Sequence, residues 1–160
     1  MFCLYAIFNN RFKYHFMHSI LIIATDHPFY QQVIELRQRI LRAPLGLNIY
    51  DDDLAAEVEQ LIFVFEEAQI VKGCVLMQHY DVETFKLRQM AVDIHEQGKQ
   101  IGRRLIEAAE LYAIQLGKKH TMLHARKVAI PFYEKLGYIT VGETFYEVGL
   151  PHKKMTKQLI

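Results

Sequence analysis

The sequence predicts a single mixed α/β (α+β) domain: a central mixed sheet flanked by helices. Three observations carry this. Short runs of β-branched and aromatic residues alternate with segments whose apolar residues recur at helical spacing. No internal repeat or flexible linker interrupts the alternation. A length of 160 residues suits one domain with a properly buried core.

Taken in order, Ser19 to Thr25 holds Ile20, Leu21, Ile22 and Ile23 and reads as a strand. Asp26 and Pro28 signal a helix start, and Phe29, Val33, Leu36, Ile40 and Leu41 recur at helical spacing until Pro44 and Gly46. Its arginines, Arg37, Arg39 and Arg42, are expected on a solvated face, with a reach into an acceptor site as the alternative. The triplet Asp51, Asp52, Asp53 marks a loop or short helix start, because carboxylates favour a helix N-terminus. Leu61 to Phe65 and Ile70 to Met77 form a predicted hairpin, with Glu66 and Glu67 as turn charges. A strand follows at Lys86 to Val92, then a helix from about Lys99 to Gln115 with Ile101, Leu105, Ala108, Ala109 and Tyr112 on one face. His120 to His124 reads as a strand and Arg126 to Leu136 as a short helix closed by Gly137. Tyr138 to Val141 and Lys153 to Leu159 complete the set.

Composition excludes several functions. With 19 Lys+Arg against 18 Asp+Glu the net charge is +1, which argues against nucleic acid as a partner. Apolar runs are far shorter than the roughly 20 residues that span a bilayer, so no membrane partner is expected. Cys3 and Cys74 form neither a disulfide framework nor a CxxC pair, which fits free thiols in the cytoplasm. Ser19 is the only serine, and no G-x-S-x-G hydrolase elbow exists. His120 and His124 lie about 13 Å apart along a strand, too far to share one ion, so no metal site is expected.

Residues 1–18 stand apart, with six aromatics and no small-residue cleavage site after the apolar stretch. They read as an N-terminal extension or arm. An added strand, a dimer arm and an extension upstream of a start at Met17 all remain open.

The chemistry-bearing segment is Gln97-Gly98-Lys99-Gln100-Ile101-Gly102-Arg103-Arg104, a turn leading from a strand into a helix. Free N–H groups and the helix dipole at such an end suit a phosphate. Neither the P-loop nor the Rossmann spacing is present, and alone the segment is equally a plain strand–helix turn. Its setting adds to it. Leu87-Arg88-Gln89-Met90-Ala91-Val92, then Gln97 to Gly102, then Pro131-Phe132-Tyr133-Glu134-Lys135-Leu136-Gly137-Tyr138 resemble the GCN5-related N-acetyltransferase (GNAT) superfamily in order and spacing. Glu143-x-Phe145-x-Glu147-x-Gly149-Leu150-Pro151-His152 resembles the ElaA/YjcF-type branch.

The resemblance implies an N-acetyltransferase domain over residues 19–160, with a splayed sheet holding acetyl-CoA. The superfamily loop reads [QR]-x-x-G-x-[GA]. Gln97 and Gly102 fill its ends, but Gln100 stands where glycine is usual, which lowers the expected cofactor affinity. The implied cofactor residues are Met90, Ala91 and Val92 for the pantetheine arm, and Gln97, Gly98, Lys99, Gln100, Ile101, Gly102 and Arg103 for the pyrophosphate. Tyr133 matches the tyrosine that protonates the leaving thiolate, while Glu147 and His152 are candidates for the base. The implied reaction is direct acetyl transfer to a primary amine, on a small molecule or a peptide, in a ternary complex. A homodimer is compatible with it. The alternative is a catalytically inactive acyl-CoA-binding sensor or an interaction module.

Overall fold

The computed structural model describes residues 20–160, so the expected 1–18 arm lies outside the described residues. Seven strands form one mixed sheet: β1 (Ile20–Ile23), β2 (Leu61–Glu67), β3 (Ile70–His79), β4 (Thr84–Val92), β5 (His120–Arg126), β6 (Ile139–Glu147) and β7 (Leu150–Gln158). Their spatial order is β1-β2-β3-β4-β5-β7-β6. All neighbours are antiparallel except β4 and β5, whose parallel pairing follows from the helical crossover between them.

Three helices cover the sheet: α1 (Tyr30–Arg37), α2 (Ile101–Gln115) and α3 (Ile130–Glu134). The first packs Val33 and Leu36 onto Ile62, Val64, Cys74 and Leu76. The second packs Leu105, Ile106 and Ala109 onto Phe63, Phe65, Val75 and Leu87 of the opposite face. Strands β2 and β3 are therefore buried on both faces, which is why they read as continuous apolar runs rather than alternating ones.

Several boundaries differ from the sequence expectation. Beyond α1 the chain continues as a wide π-helical turn, Gln38–Arg42, and a 3₁₀ turn, Ala43–Leu45. The Asp51–Asp53 triplet ends one 3₁₀ segment, Ile49–Asp51, and leads toward a second, Ala55–Glu59, and the Asp53 carboxylate accepts from Ala56 N–H. Arg126 remains in β5, and α3 starts only at Ile130, because Pro131 fits the first turn of a helix and not its interior. The last hairpin is longer than its apolar pattern. β6 is mostly exposed, and three residues (142–144) bulge out opposite Lys153, so burial imposes no alternation there. Pro151 is accommodated at the start of β7, where β6 is its only neighbour and pairing with β5 has not begun.

The expected solvated face of Arg37, Arg39 and Arg42 is found only for Arg39, which pairs with Asp93 at 3.0 Å. Arg37 is fully buried and grips Glu57 with two hydrogen bonds of 2.8 and 2.6 Å, while Tyr30 donates to the same carboxylate at 2.8 Å. Arg42 grips Asp52 in the same forked manner, at 3.2 and 2.7 Å. These pairs tie the 43–59 loop onto α1. The two arginines sit on the helix side that faces inward, which the charge pattern alone does not reveal.

Candidate active site

The sheet opens at its centre. Strands β4 and β5 pair over only four rungs, Thr84–Leu87 with His120–Leu123. Beyond them a bulge bends β4: Val75 of β3 stands opposite both Gln89 and Met90, and Gln89 adopts φ +54°. β5 meanwhile stays in register with β7 up to Arg126. The edge of Arg88–Val92 that faces β5 thus lacks a strand partner among the described residues. The opening leads into a cavity of about 1230 Å³. Gln89 lines it and carries a buried side-chain carbonyl with no hydrogen-bond partner among the described residues.

The N-terminus of α2 lies at one mouth. Backbone bonding begins with Arg104 N–H to Gln100 C=O at 3.0 Å, no side chain caps the helix, and the N–H groups of Ile101, Gly102 and Arg103 have no backbone acceptor among the described residues. Gln97 folds back to donate to Val92 C=O at 3.3 Å, closing the loop onto β4. Gln100 stands in the left-handed region, φ +64°, which explains why glycine suits this slot and why the helix starts at Ile101 rather than Lys99. Gly98 is also left-handed, at φ +81°. Gly102 has a packing reason instead. A Cβ there would meet Met90 Cε at 3.1 Å and Phe132 Cζ at 3.2 Å.

Met90, Ala91, Val92, Gln97, Gly98, Gln100, Ile101, Gly102 and Arg103 all line the cavity, as do Tyr133, Glu147 and His152. Lys99 does not: its ammonium is held by Glu96 at 2.8 Å, beside Lys72. Tyr133 packs edge-on against Phe132 and Tyr138. Burial alone pushes its phenol up to about 12, so it carries its proton throughout the neutral range.

At the other side of the opening, Glu147 Oε1 lies 2.6 Å from His124 Nδ1. Lys86 Nζ approaches the same nitrogen at 3.4 Å. Both contacts cannot be donations to a lone pair, and the short approach of a carboxylate requires that Nδ1 bear the proton. The His124 Nε2 lone pair is then free when the ring is neutral. His152, buried and stacked on Phe145, is bound through Nδ1 to Leu150 C=O at 2.8 Å, which fixes its proton on Nδ1 in the same way. His124 was missed as a candidate because the sequence reading tested it only as a partner of His120. The available signal was parity: on β5 it shares a face with Arg126, and its neighbour across β7 is Lys154.

The seven-stranded sheet and its flanking helices share their fold with known N-acetyltransferase structures. The chain belongs to the acetyltransferase (GNAT) domain family, whose profile matches residues 28–159. It is 33% identical over 73 residues to the uncharacterized N-acetyltransferase YjcF of Bacillus subtilis, covering 45% of this chain and 52% of that protein. The first curated relatives are matched over only 29–52% of their own lengths. The crystal structure of Escherichia coli ElaA superposes with a TM-score of 0.77 at 16% identity, covering 88% of this chain and 99% of that one. An aminoglycoside 6'-N-acetyltransferase complexed with coenzyme A superposes with a TM-score of 0.74 at 18% identity, covering 88% and 97%. No helix among the described residues is long and apolar enough to cross a membrane.

Proposed function

We propose that this chain transfers an acetyl group from acetyl-CoA directly to a primary amine. The observation that carries the proposal is the parted β4–β5 edge with the open α2 N-terminus at its mouth. The fit to the cosubstrate is chemical. The free N–H groups at Ile101 to Arg103, with the Arg103 guanidinium, suit a pyrophosphate. The unpaired edge at Met90, Ala91 and Val92 suits the amides of a pantetheine arm, and the orphaned Gln89 carbonyl would accept from an amide N–H there.

In this mechanism Glu147 and His124, or His152, take the proton that the attacking amine must lose. A β4 backbone N–H polarises the thioester carbonyl. The new C–N bond forms as the C–S bond breaks, and Tyr133 gives its proton to the departing sulfur. Tyr133 is then reprotonated by the proton released from the amine, so the sum is one acetyl moved and one thiol formed. A covalent acyl-enzyme is not part of this reading, since the free thiol of Cys74 is buried and pushed up to about 12 by its burial.

Isothermal titration of acetyl-CoA, with CoA and ATP as controls, tests the reading. Micromolar binding of both CoA species, absent for ATP, supports it, and thiol release with an amine panel then establishes catalysis. No binding to folded protein overturns it. Tight binding without turnover of any amine would favour the sensor reading.

A further inference from the structure

The cavity floor on the α1 side is unevenly charged. Lys86 and Arg88 share this face of β4, because Arg88 stands opposite Leu76, which packs under α1. On β5 the same face carries His124 and Arg126. All four line the cavity.

The carboxylates that line it are already engaged. Asp52 is held by Arg42, Glu57 by Arg37 and Tyr30, and Glu96 by Lys72 and Lys99. Asp53 accepts from Ala56 N–H, and Glu147 is bound to His124. The cations on the floor are not. Arg88 donates to the neutral Gln78 amide at 3.1 Å, and Arg126 donates to Leu41 C=O at 3.0 Å. Lys86 touches only the His124 ring, although Glu147 is near enough to favour its charge. Among the described residues, none of the three forms a salt bridge. Each is partly buried, and desolvation pulls Lys86 and Arg126 below their usual ranges, with the neighbouring Arg42 charge adding to the effect on Arg126.

We propose that the acceptor is a small primary amine bearing a carboxylate, which Arg88 and Arg126 hold with Lys86 beside it. This rests on the acyl-transfer reading and adds the class of acceptor to it. A forked guanidinium recognises a planar carboxylate through paired charge-assisted hydrogen bonds. Fixing the carboxylate here would bring the amine beside Glu147 and His124, on the same face as the cations. A neutral amine would leave Arg88 and Arg126 without a counterion, which sets the direction of discrimination.

The test is a matched panel of amino acids, their carboxamides and the corresponding decarboxylated amines, each assayed for thiol release from acetyl-CoA. The expected result is a kcat/KM at least tenfold higher for the carboxylates, expressed in KM. Arg88→Gln and Arg126→Gln should each shrink that ratio below about threefold, with partial rescue by lysine. A folding defect would lower both members of a pair alike and leave the ratio unchanged. Equal or better turnover of carboxamides or plain amines overturns the proposal. If no amine in the panel is turned over, N-acetyl amino acids and their N-acetyl amides are titrated into the protein directly. No preference for the acid form then overturns the proposal, while a preference lost in the arginine variants upholds it. Failure of the acetyl-CoA titration would remove the acyl-transfer reading separately.

Discussion

His124 Nδ1 and Glu147 Oε1 meet at 2.6 Å across the open half of the sheet, one on β5 and the other on β6, and β7 lies between their strands. The carboxylate accepts from Nδ1–H and so fixes the imidazole tautomer. Replacing His124 with Ala, or Glu147 with Gln, should lower kcat by roughly 10²-fold or more, the lower end of what positioned proton acceptors contribute. Affinity for acetyl-CoA should stay nearly constant. Stopped-flow thiol release with parallel calorimetry separates the two quantities. If both variants keep wild-type kcat, His152 becomes the preferred proton acceptor.

Tyr133→Phe removes the proposed acid while keeping the ring contacts with Phe132 and Tyr138. A drop in kcat of about 10²-fold is expected. Stability carries a second signature. The phenol rises from an ordinary value of 10.0 to about 12 on folding. Between those values the unfolded chain releases its proton first, so stability is complete below pH 10 and declines as pH rises toward 12. At pH 11 this amounts to about 1.4 kcal/mol, one pKa unit of linkage. Urea titrations at pH 8 and 11 should show the variant losing less stability than the parent by that order.

Gln100→Gly should stabilise the α2 terminus, because Gln100 now holds φ +64°. A left-handed side chain costs about 1–2 kcal/mol, partly offset by the greater freedom of glycine when unfolded. A gain of about 0.5 kcal/mol and tighter acetyl-CoA binding are expected. Gly98→Ala, at φ +81°, should move both quantities the other way. Thermal melts and titration of the two variants, compared side by side, decide this. Weaker binding in Gln100→Gly would mean that the glutamine amide itself holds the phosphate.

Arg37→Ala leaves the Glu57 carboxylate buried with only Tyr30 as a partner. Removing one member of such a pair costs about 3–5 kcal/mol. Chemical denaturation should show a loss of that size, with the 43–59 loop exposed early to proteolysis. A cost under about 1 kcal/mol would show that the loop is held by its apolar contacts instead.

The sheet, the three helices and the turn into α2 were legible because burial on both faces writes itself as apolar runs and a glycine-containing turn marks a helix start. The C-terminal hairpin was less so. Its outer strand is exposed and bulged between Val141 and Phe145, so no packing pattern marks its length. The pairing of Arg37 with Glu57 was hidden for a different reason: they stand 20 positions apart, joined by short helical turns and loops, and a buried ion pair looks in sequence like two surface charges. His124 became meaningful only once β5, β7 and β6 lay side by side, since its partner Glu147 comes from a strand with which β5 does not pair.

The four rungs between β4 and β5 have a mechanical consequence. Strands β1 to β4 form one meander and β5 to β7 another assembly, each stitched by antiparallel pairing between near neighbours, apart from the return of β7 to β5. The seam between them is the parallel contact of Thr84–Leu87, reached across α2, and it is the shortest ladder in the interior of the sheet. Such a seam closes late in folding and opens at the lowest cost afterwards. A molecule lodged in the gap would act as a rivet across it, and amide exchange at His120–Met122 would slow on binding even though those residues do not line the cavity.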